Sequence, residues 1–137
     1  RTRDYIFGYT ILNDVSARDV QTAHKQWYFG KSLDGFTPIG PCIVTADAFA
    51  DYPPRLGIRS FVNGEKRQDS ITALQIFDID HVIAELSQGM TLKAGTIIAT
   101  GTPAGVGMGM DPPQFLKPGD VVRCEIDGIG TLTNPVK

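Results

Sequence analysis

The stretch Gly8-Tyr9-Thr10-Ile11-Leu12-Asn13-Asp14-Val15-Ser16-Ala17-Arg18-Asp19-Val20-Gln21 joins an apolar run to a polar, charged segment. The apolar part belongs to residues 5–12, whose composition is typical of a strand buried on both faces. The polar part favours a helix over about residues 16–27, because Val20, Ala23 and Trp27 recur on one helical face. The stretch therefore predicts a strand, a polar turn and a helix in succession.

The polar turn allows two interpretations. Asp14 and Ser16 follow a strand and precede a helix, where both side chains serve commonly as helix caps. Alternatively, the turn is a functional site, because Arg18 and Gln21 are three residues apart and share one helical face. A carboxylate, a guanidinium and an amide that converge there would suit a hard cation together with an anionic ligand.

Further along the chain, glycine and proline punctuate short strand-like runs, which is typical of a β-rich domain. Asn63-Gly64 is a strong signal for a tight hairpin turn. Asp78 and Gly89 flank an amphipathic helix as N-cap and C′ residue. The expected strands are residues 39–45, 56–62, 65–70, 96–100, 121–126 and 130–136, and the expected second helix is 79–88.

Composition bounds the class of protein. The chain has 137 residues, of which 42% are hydrophobic and 20% charged, so we expect one folded domain with a contiguous core. A net charge of −2 does not indicate a nucleic-acid-binding protein. No apolar run approaches the ~18–20 residues of a membrane span. Because Arg1 rather than Met begins a chain without a targeting pattern, we expect the later part of a longer protein.

The two cysteines predict a reducing environment. Cys42 and Cys124 lie far apart in sequence, which favours two small buried side chains over a disulfide or a metal pair. We therefore expect a cytoplasmic protein, or a mitochondrial one if the source is eukaryotic.

Two later motifs and two histidines are weaker candidates. Lys31 follows Gly30 without the spacing of a phosphate-binding loop, so by itself it suits a solvated loop. The glycine-rich segment after Thr100 is not followed by a helix pattern, which excludes a dinucleotide fingerprint. It is either a turn that needs unusual backbone angles or a place where Thr100 meets a carboxylate. His24 and His81 are expected to be solvated.

Taken together, the motifs resemble the fumarylacetoacetate hydrolase family. Five segments match in order from about residue 5 to residue 136: residues 8–21, 30–41, 62–68, 100–107 and 128–134. The resemblance implies an α+β, predominantly β fold, with a rolled mixed sheet and two short helices. It also implies that residues 1–137 are the C-terminal portion of a catalytic domain, in a protein that is usually a homodimer.

The resemblance further implies a site. Asp14 would be a ligand of Mg²⁺ (or Mn²⁺ or Ca²⁺), Arg18, Gln21 and Lys31 would face the substrate, and Thr100 would bind its carboxylate end. Lys31 and Gln21 would be the catalytic residues. A divalent cation and a lysine would both stabilise the enolate left by cleavage of a C–C bond beside a carbonyl. The expected reaction is hydrolysis of a 2-oxo or β-diketo acid of the acylpyruvate or fumarylpyruvate type.

One departure from the family pattern limits this expectation. The family's other two metal carboxylates form a Glu-x-Glu pair, which occurs nowhere in this chain. Oxaloacetate-type decarboxylation and isomerisation or tautomerisation would use the same enolate chemistry and remain alternatives. A non-catalytic domain that keeps only the fold is a third, although five preserved polar residues argue against it.

Overall fold

The computed structural model describes residues 2–23 and 25–137. The described residues form mostly β-structure with two α-helices, which confirms the expected fold class. The strands are β1 (Gly8–Leu12), β2 (Ile39–Thr45), β3 (Gly57–Val62), β4 (Glu65–Ile71), β5 (Val121–Ile126) and β6 (Gly130–Pro135), and the helices are α1 (Arg18–Ala23) and α2 (Ile79–Gly89).

Within the described residues the strands form two antiparallel sheets. One pairs β1 with β2, and the other has the order β4-β3-β5-β6. Every strand pairing recorded for this part of the chain is antiparallel. Strands joined by tight turns, such as β3–β4 and β5–β6, can pair only in the antiparallel sense.

The two sheets meet where β2 passes over β6. A Cβ atom at Gly130 would lie 3.3 Å from Cγ of Pro41, and one at Gly40 would lie 3.6 Å from Cδ1 of Leu132. Close by, the thiol of Cys42 approaches the carbonyl oxygen of Ile129 at 3.7 Å. The small residues on these facing strands thus let the two backbones approach closely.

The apolar core of the described residues is smaller than the composition suggests. The most buried apolar side chains are Ile11 in β1, Val122 in β5 and Ile129 in the β5–β6 turn. The strand expected over residues 5–12 is shorter, because Thr2–Tyr5 form a 3-10 turn. Tyr5 and Phe7 are exposed, so the prediction of a strand buried on both faces is wrong for this end of it.

The hairpin β3–β4 confirms its sequence signal and adds an irregularity. Asn63 and Gly64 have φ of +52° and +83°, the left-handed pair that a two-residue hairpin turn requires. From Gly57 to Ser60 the strands pair in one register, with Ser60 opposite Gln68. Phe61 then pairs with Lys66, so Arg67 is an extra residue in β4 and forms a β-bulge.

Helix α2 follows its predicted bounds closely. The Asp78 side chain accepts a hydrogen bond of 2.8 Å from the backbone N–H of His81, which is the expected N-cap contact. At the other end, Gly89 is the last helical residue and Met90 is the C-cap, so the assignment of Gly89 as C′ residue is two positions too early. His81 is exposed, as expected, and stacks on Phe77.

Helix α1 is shorter than the sequence pattern predicts. It ends at Ala23, and Lys25 has φ of +55°, a left-handed conformation through which an α-helix does not continue. Trp27 is consequently exposed and does not share a helical face with Val20. His24, which we expect to be solvated, lies outside the described residues.

Two further expectations need correction. Residues 96–100 are not a strand, because no backbone ladder joins them to another strand in the part of the chain that the structure describes. Cys42 is exposed rather than buried, whereas Cys124 is half-buried, and this burial raises the pKa of its thiol. Both cysteines are free. Neither helix is long and apolar enough, among described residues, to cross a bilayer.

Candidate functional site

The candidate site lies where β1 ends and the chain turns into α1. A second segment, the 3-10 turn Phe29–Lys31, contacts the backbone of this turn. The N–H of Ala17 donates a 2.8 Å hydrogen bond to the carbonyl oxygen of Gly30. Gly30 is buried, and its missing side chain lets the two segments touch, which brings the neighbouring Lys31 beside the turn.

Lys31 links the two polar residues that begin the turn. Its Nζ atom donates a hydrogen bond of 2.6 Å to Oδ2 of Asp14 and one of 2.9 Å to Oγ of Ser16. The Ser16 hydroxyl in turn donates to the backbone carbonyl of Asp14 at 3.1 Å. The Lys31 side chain is 24% exposed and that of Asp14 is 40% exposed, so this ion pair remains open to a ligand.

Arg18 and Gln21 form a second pair on α1. Nη1 of Arg18 donates a 2.8 Å hydrogen bond to Oε1 of Gln21, as their spacing of three residues predicts. Gln21 is only 5% exposed, and it is the one polar side chain classed as buried among the described residues. A buried amide is costly unless it is hydrogen-bonded, so the guanidinium supplies a partner for the amide oxygen and orients the side chain.

The structure favours the functional interpretation of the turn over plain capping. Within residues 2–23 and 25–137, the side-chain contacts of Asp14 and Ser16 are with Lys31 and with the turn itself, not with N–H groups of α1. Asp14, Arg18 and Gln21 do not form a single cluster as predicted. Asp14 pairs with Lys31, and Arg18 pairs with Gln21. Ser16 belongs to the site because it contacts Lys31, a role that the sequence did not predict because Ser16 was interpreted only as a possible helix cap.

Thr100 begins the glycine-rich loop of residues 100–107. It is exposed, and the described contacts include none between it and Asp14, Arg18, Gln21 or Lys31. The loop that follows is anchored elsewhere. Nε2 of Gln68 in β4 donates to Oγ1 of Thr102 at 2.7 Å and to the carbonyl oxygen of Pro103 at 2.8 Å. The residues of this hairpin matched the family motif but were not predicted to have a role.

The residues of this chain do not make a complete metal site. Asp14 offers a hard carboxylate oxygen, the kind of ligand that Mg²⁺ prefers. That oxygen already accepts a hydrogen bond from the Lys31 ammonium, however, and within the described ranges no group of three His, Cys, Asp or Glu side chains could hold a metal ion. Asp14 can therefore be one ligand, and no more than one, from this cluster.

Comparisons with known proteins agree with the motifs. Oxaloacetate tautomerase YisK of Bacillus subtilis (strain 168) is 52% identical over 133 residues, which are 97% of this chain and 44% of that protein. A fumarylacetoacetate hydrolase from psychrophilic Exiguobacterium antarcticum superposes with a TM-score of 0.95 at 54% identity, over 99% of this chain and 48% of that one.

A third relative is named as an isomerase. The crystal structure of 5-carboxymethyl-2-hydroxymuconate delta-isomerase from Mycobacterium smegmatis has a TM-score of 0.85 and 47% identity, over 97% of this chain and 49% of the other. This chain thus spans less than half the length of each of these three proteins. The family model described as "Fumarylacetoacetate (FAA) hydrolase C-terminal" matches residues 1–137. The chain belongs to the fumarylacetoacetate hydrolase family.

Proposed function

We propose that the complete protein interconverts the keto and enol forms of a 2-oxo acid, with oxaloacetate as the first candidate substrate. The observation that carries this proposal is the Lys31 ammonium held between Asp14 and Ser16, next to the Arg18–Gln21 pair. The similarity to a protein named oxaloacetate tautomerase and to another named as a delta-isomerase supports it. Tautomerisation thus replaces C–C hydrolysis as the preferred reaction.

Lys31 would stabilise the charge that develops in this reaction. Removal of a proton from the carbon beside a carbonyl leaves negative charge on the carbonyl oxygen. A fixed ammonium that donates a hydrogen bond to that oxygen lowers the energy of the enolate more than that of the neutral ketone. The contacts with Asp14 and Ser16 fix the Nζ atom of Lys31 before a substrate arrives.

The other site residues would orient the substrate. Arg18 has the planar donor geometry that suits a carboxylate, and Gln21 offers an amide that can hold a substrate oxygen or a water. Thr100 would contact the carboxylate at the far end of a dicarboxylic substrate. Tautomerisation releases no leaving group, but it needs a base that takes the proton from the carbon and a donor that gives a proton to the enolate oxygen. Lys31 would be that donor, and the base would come from residues other than those described.

We keep Mg²⁺ (or Mn²⁺ or Ca²⁺) as the proposed cofactor of the complete protein. Asp14 would supply one ligand, and the remaining ligands would come from residues other than those described. When bound, the cation would act as a Lewis acid on the 2-oxo acid. We also propose a homodimer in a reducing compartment, which light scattering of the purified protein and cell fractionation would test.

A second candidate function is hydrolysis of a C–C bond in an acylpyruvate. It is supported by the structural similarity to the Exiguobacterium antarcticum protein named fumarylacetoacetate hydrolase. Oxaloacetate decarboxylation would pass through the same enolate. Both reactions release a new product, whereas tautomerisation changes only the ratio of keto to enol. Product analysis therefore separates the three.

The decisive experiment compares two lysine variants of the complete protein. Lys31→Met removes the proposed charge. Lys66→Met removes an exposed lysine in β4, which pairs with Asp69 in the same strand. Enol oxaloacetate is followed by its ultraviolet absorbance. We expect kcat/KM to fall by about 10²- to 10³-fold for Lys31→Met and to stay unchanged for Lys66→Met.

Each outcome decides between the candidate functions. Normal turnover by Lys31→Met would overturn the role of Lys31. Release of pyruvate and a carboxylic acid from an acylpyruvate, without enol conversion, would favour the hydrolase. A wild-type protein that turns over neither substrate and binds neither Mg²⁺ nor oxalate in calorimetry would be the non-catalytic domain.

A further inference from the structure

The β-bulge in β4 turns two consecutive side chains toward one loop. In a regular strand, neighbouring side chains point to opposite faces of the sheet. The extra residue Arg67 breaks that alternation, and Gln68 is opposite Ser60 while Lys66 is opposite Phe61. Arg67 and Gln68 consequently both reach the segment from Thr102 to Gln114. β-Bulges often redirect a side chain next to an active site.

Gln68 uses both ends of its amide. Its Oε1 accepts a 2.8 Å hydrogen bond from the Ser60 hydroxyl on the neighbouring strand. Its Nε2 donates to Thr102 at 2.7 Å and to the carbonyl oxygen of Pro103 at 2.8 Å. Since β3 lies inside the four-stranded sheet, the amide connects the middle of that sheet to residues two and three positions beyond Thr100.

Arg67 and Gly105 hold the far part of the same loop. Nη1 of Arg67 donates to Oε1 of Gln114 and contacts Sδ of Met110 at 3.0 Å. Gly105 has φ of +107° and lies so close to the carbonyl oxygen of Arg67 that a Cβ atom there would collide with backbone. The loop is therefore fixed against β4 on both sides of Gly105.

We propose that Gln68 is a positioning residue that holds the Thr100 loop in place for the carboxylate at the far end of the substrate. This inference rests on the proposed function, because it takes Thr100 as a substrate contact. Gln68 does not touch the substrate itself. Its amide fixes Thr102 and Pro103, and so restricts where Thr100 can be, next to Gly101 with its φ of +101°. The 2-oxo acid end of the substrate, bound at Lys31 and Arg18, does not depend on it.

The test compares three variants of the complete protein. Gln68→Ala removes both hydrogen bonds to the loop, and Thr102→Val removes one of them with little change in shape. Gln88→Ala is the matched control, because Gln88 is exposed on α2 and hydrogen-bonded only to Glu85 among the described residues. The measurements are KM and kcat for oxaloacetate and the inhibition constant of oxalate, which mimics only the 2-oxo acid end.

We expect KM for oxaloacetate to rise about tenfold in Gln68→Ala, the effect of losing one well-formed hydrogen bond between Thr100 and the substrate carboxylate. The inhibition constant of oxalate should change less than about twofold. Thr102→Val should raise KM in the same direction, and the double variant should be less than additive because both changes break one contact. Gln88→Ala should resemble the wild type.

Two results would overturn the proposal: an unchanged KM in Gln68→Ala, or an equal rise in KM and in the oxalate constant, which indicates general damage. Hydrogen exchange keeps the test independent of the proposed function. If the wild type does not turn over oxaloacetate, Gln68→Ala should still accelerate amide exchange in residues 100–107, but not in α2. Unchanged exchange in that loop would contradict the anchoring role of Gln68.

Discussion

Gly30 lies directly against the backbone of Gln21: a Cβ atom built on Gly30 would stand 2.8 Å from the Gln21 nitrogen. The same Cβ would be 2.9 Å from the carbonyl oxygen of Ala17. The N–H of Gln21 in α1 donates a 2.9 Å hydrogen bond to the carbonyl oxygen of Ala17, directly before the helix, so neither backbone atom can move without displacing the start of α1. This contact brings the segment with Lys31 to the segment with Asp14, and the candidate site depends on it.

The first prediction concerns that contact. Gly30→Ala should destabilise the protein by about 1–3 kcal/mol, because an extra methyl group would force two packed backbones apart. It should also reduce activity, since Lys31 would be displaced from Asp14. Thermal denaturation and enol turnover measure the two effects.

Gly89→Ala provides the control for Gly30→Ala. Nothing lies within 4 Å of a Cβ atom at Gly89, which ends α2, so alanine should be neutral or stabilising by up to about 1 kcal/mol. A Gly30→Ala variant as stable and as active as the Gly89→Ala variant would contradict the proposed role of the Gly30 contact.

A second prediction separates two kinds of crowded glycine. A Cβ atom at Gly57 would collide with the carboxylate of Asp127 and lie 2.9 Å from Nη2 of Arg59. Both are ends of flexible side chains, with Asp127 exposed and Arg59 partly exposed, and such surface ion pairs contribute little to stability. We expect Gly57→Ala to change the free energy of unfolding by less than about 1 kcal/mol, as measured by denaturation. A loss as large as that in Gly30→Ala would show that the crowding alone, and not the kind of neighbouring atom, sets the cost.

A third prediction concerns the proposed metal ligand. Asp14→Asn keeps the shape of the side chain but removes its charge, so Mg²⁺ affinity should fall at least about tenfold in the complete protein. Calorimetric titration with Mg²⁺ in the presence of oxalate measures this directly. Asp19→Asn removes the same charge from an exposed position on α1 and should leave the affinity unchanged. Equal affinity in the Asp14 variant and the wild type would exclude Asp14 as a ligand.

A fourth prediction concerns acid pH. The side-chain amide of Asn63 and the backbone N–H of Lys117 donate hydrogen bonds to the Asp120 carboxylate, and they lower its pKa. A carboxyl group with a lowered pKa stabilises the fold above its unfolded pKa of about 3.9. That contribution is lost as the pH falls through the lower folded value, because the protonated group no longer accepts these bonds as strongly.

Two variants of Asn63 test this sign. Asn63→Gly tolerates the left-handed turn but removes the amide, so the pKa of Asp120 should rise toward its usual value. Carbon NMR titration of the carboxyl group measures it. Asn63→Ala should raise the same pKa and also strain the turn, which makes it the less stable of the two. An unchanged titration of Asp120 in Asn63→Gly would refute the role of the amide.

The features that sequence predicts well depend on neighbours in the chain. The Asn63-Gly64 turn, helix α2 and the Arg18–Gln21 pair all follow from spacings of a few residues. Each involves local geometry that the residue types nearly determine. The family motifs also pointed to Asp14 and Lys31, although their contact across 17 positions was not predicted.

The features that the sequence did not predict depend on backbone conformation and on pairing with segments far away in the chain. Residues 96–100 look like a strand, but a run of apolar residues does not reveal whether a partner strand pairs with it. The apolar spacing that extends to Trp27 does not show that Lys25 turns left-handed. No residue type in β4 predicts the bulge. The contact of Gln68 with the Thr100 loop can therefore be recognised only from the three-dimensional structure.

The bulge at Arg67 also has a consequence for insertions and deletions. A relative with one residue fewer between the Asn63-Gly64 turn and Gln68 would pair in continuous register, and its glutamine would still lie opposite the residue that corresponds to Ser60. Without the extra residue, however, the side chain before that glutamine would point to the opposite face of the sheet, so only one of the two contacts with the loop would remain. In this hairpin the length of β4, as much as its residue types, determines how many side chains hold the loop.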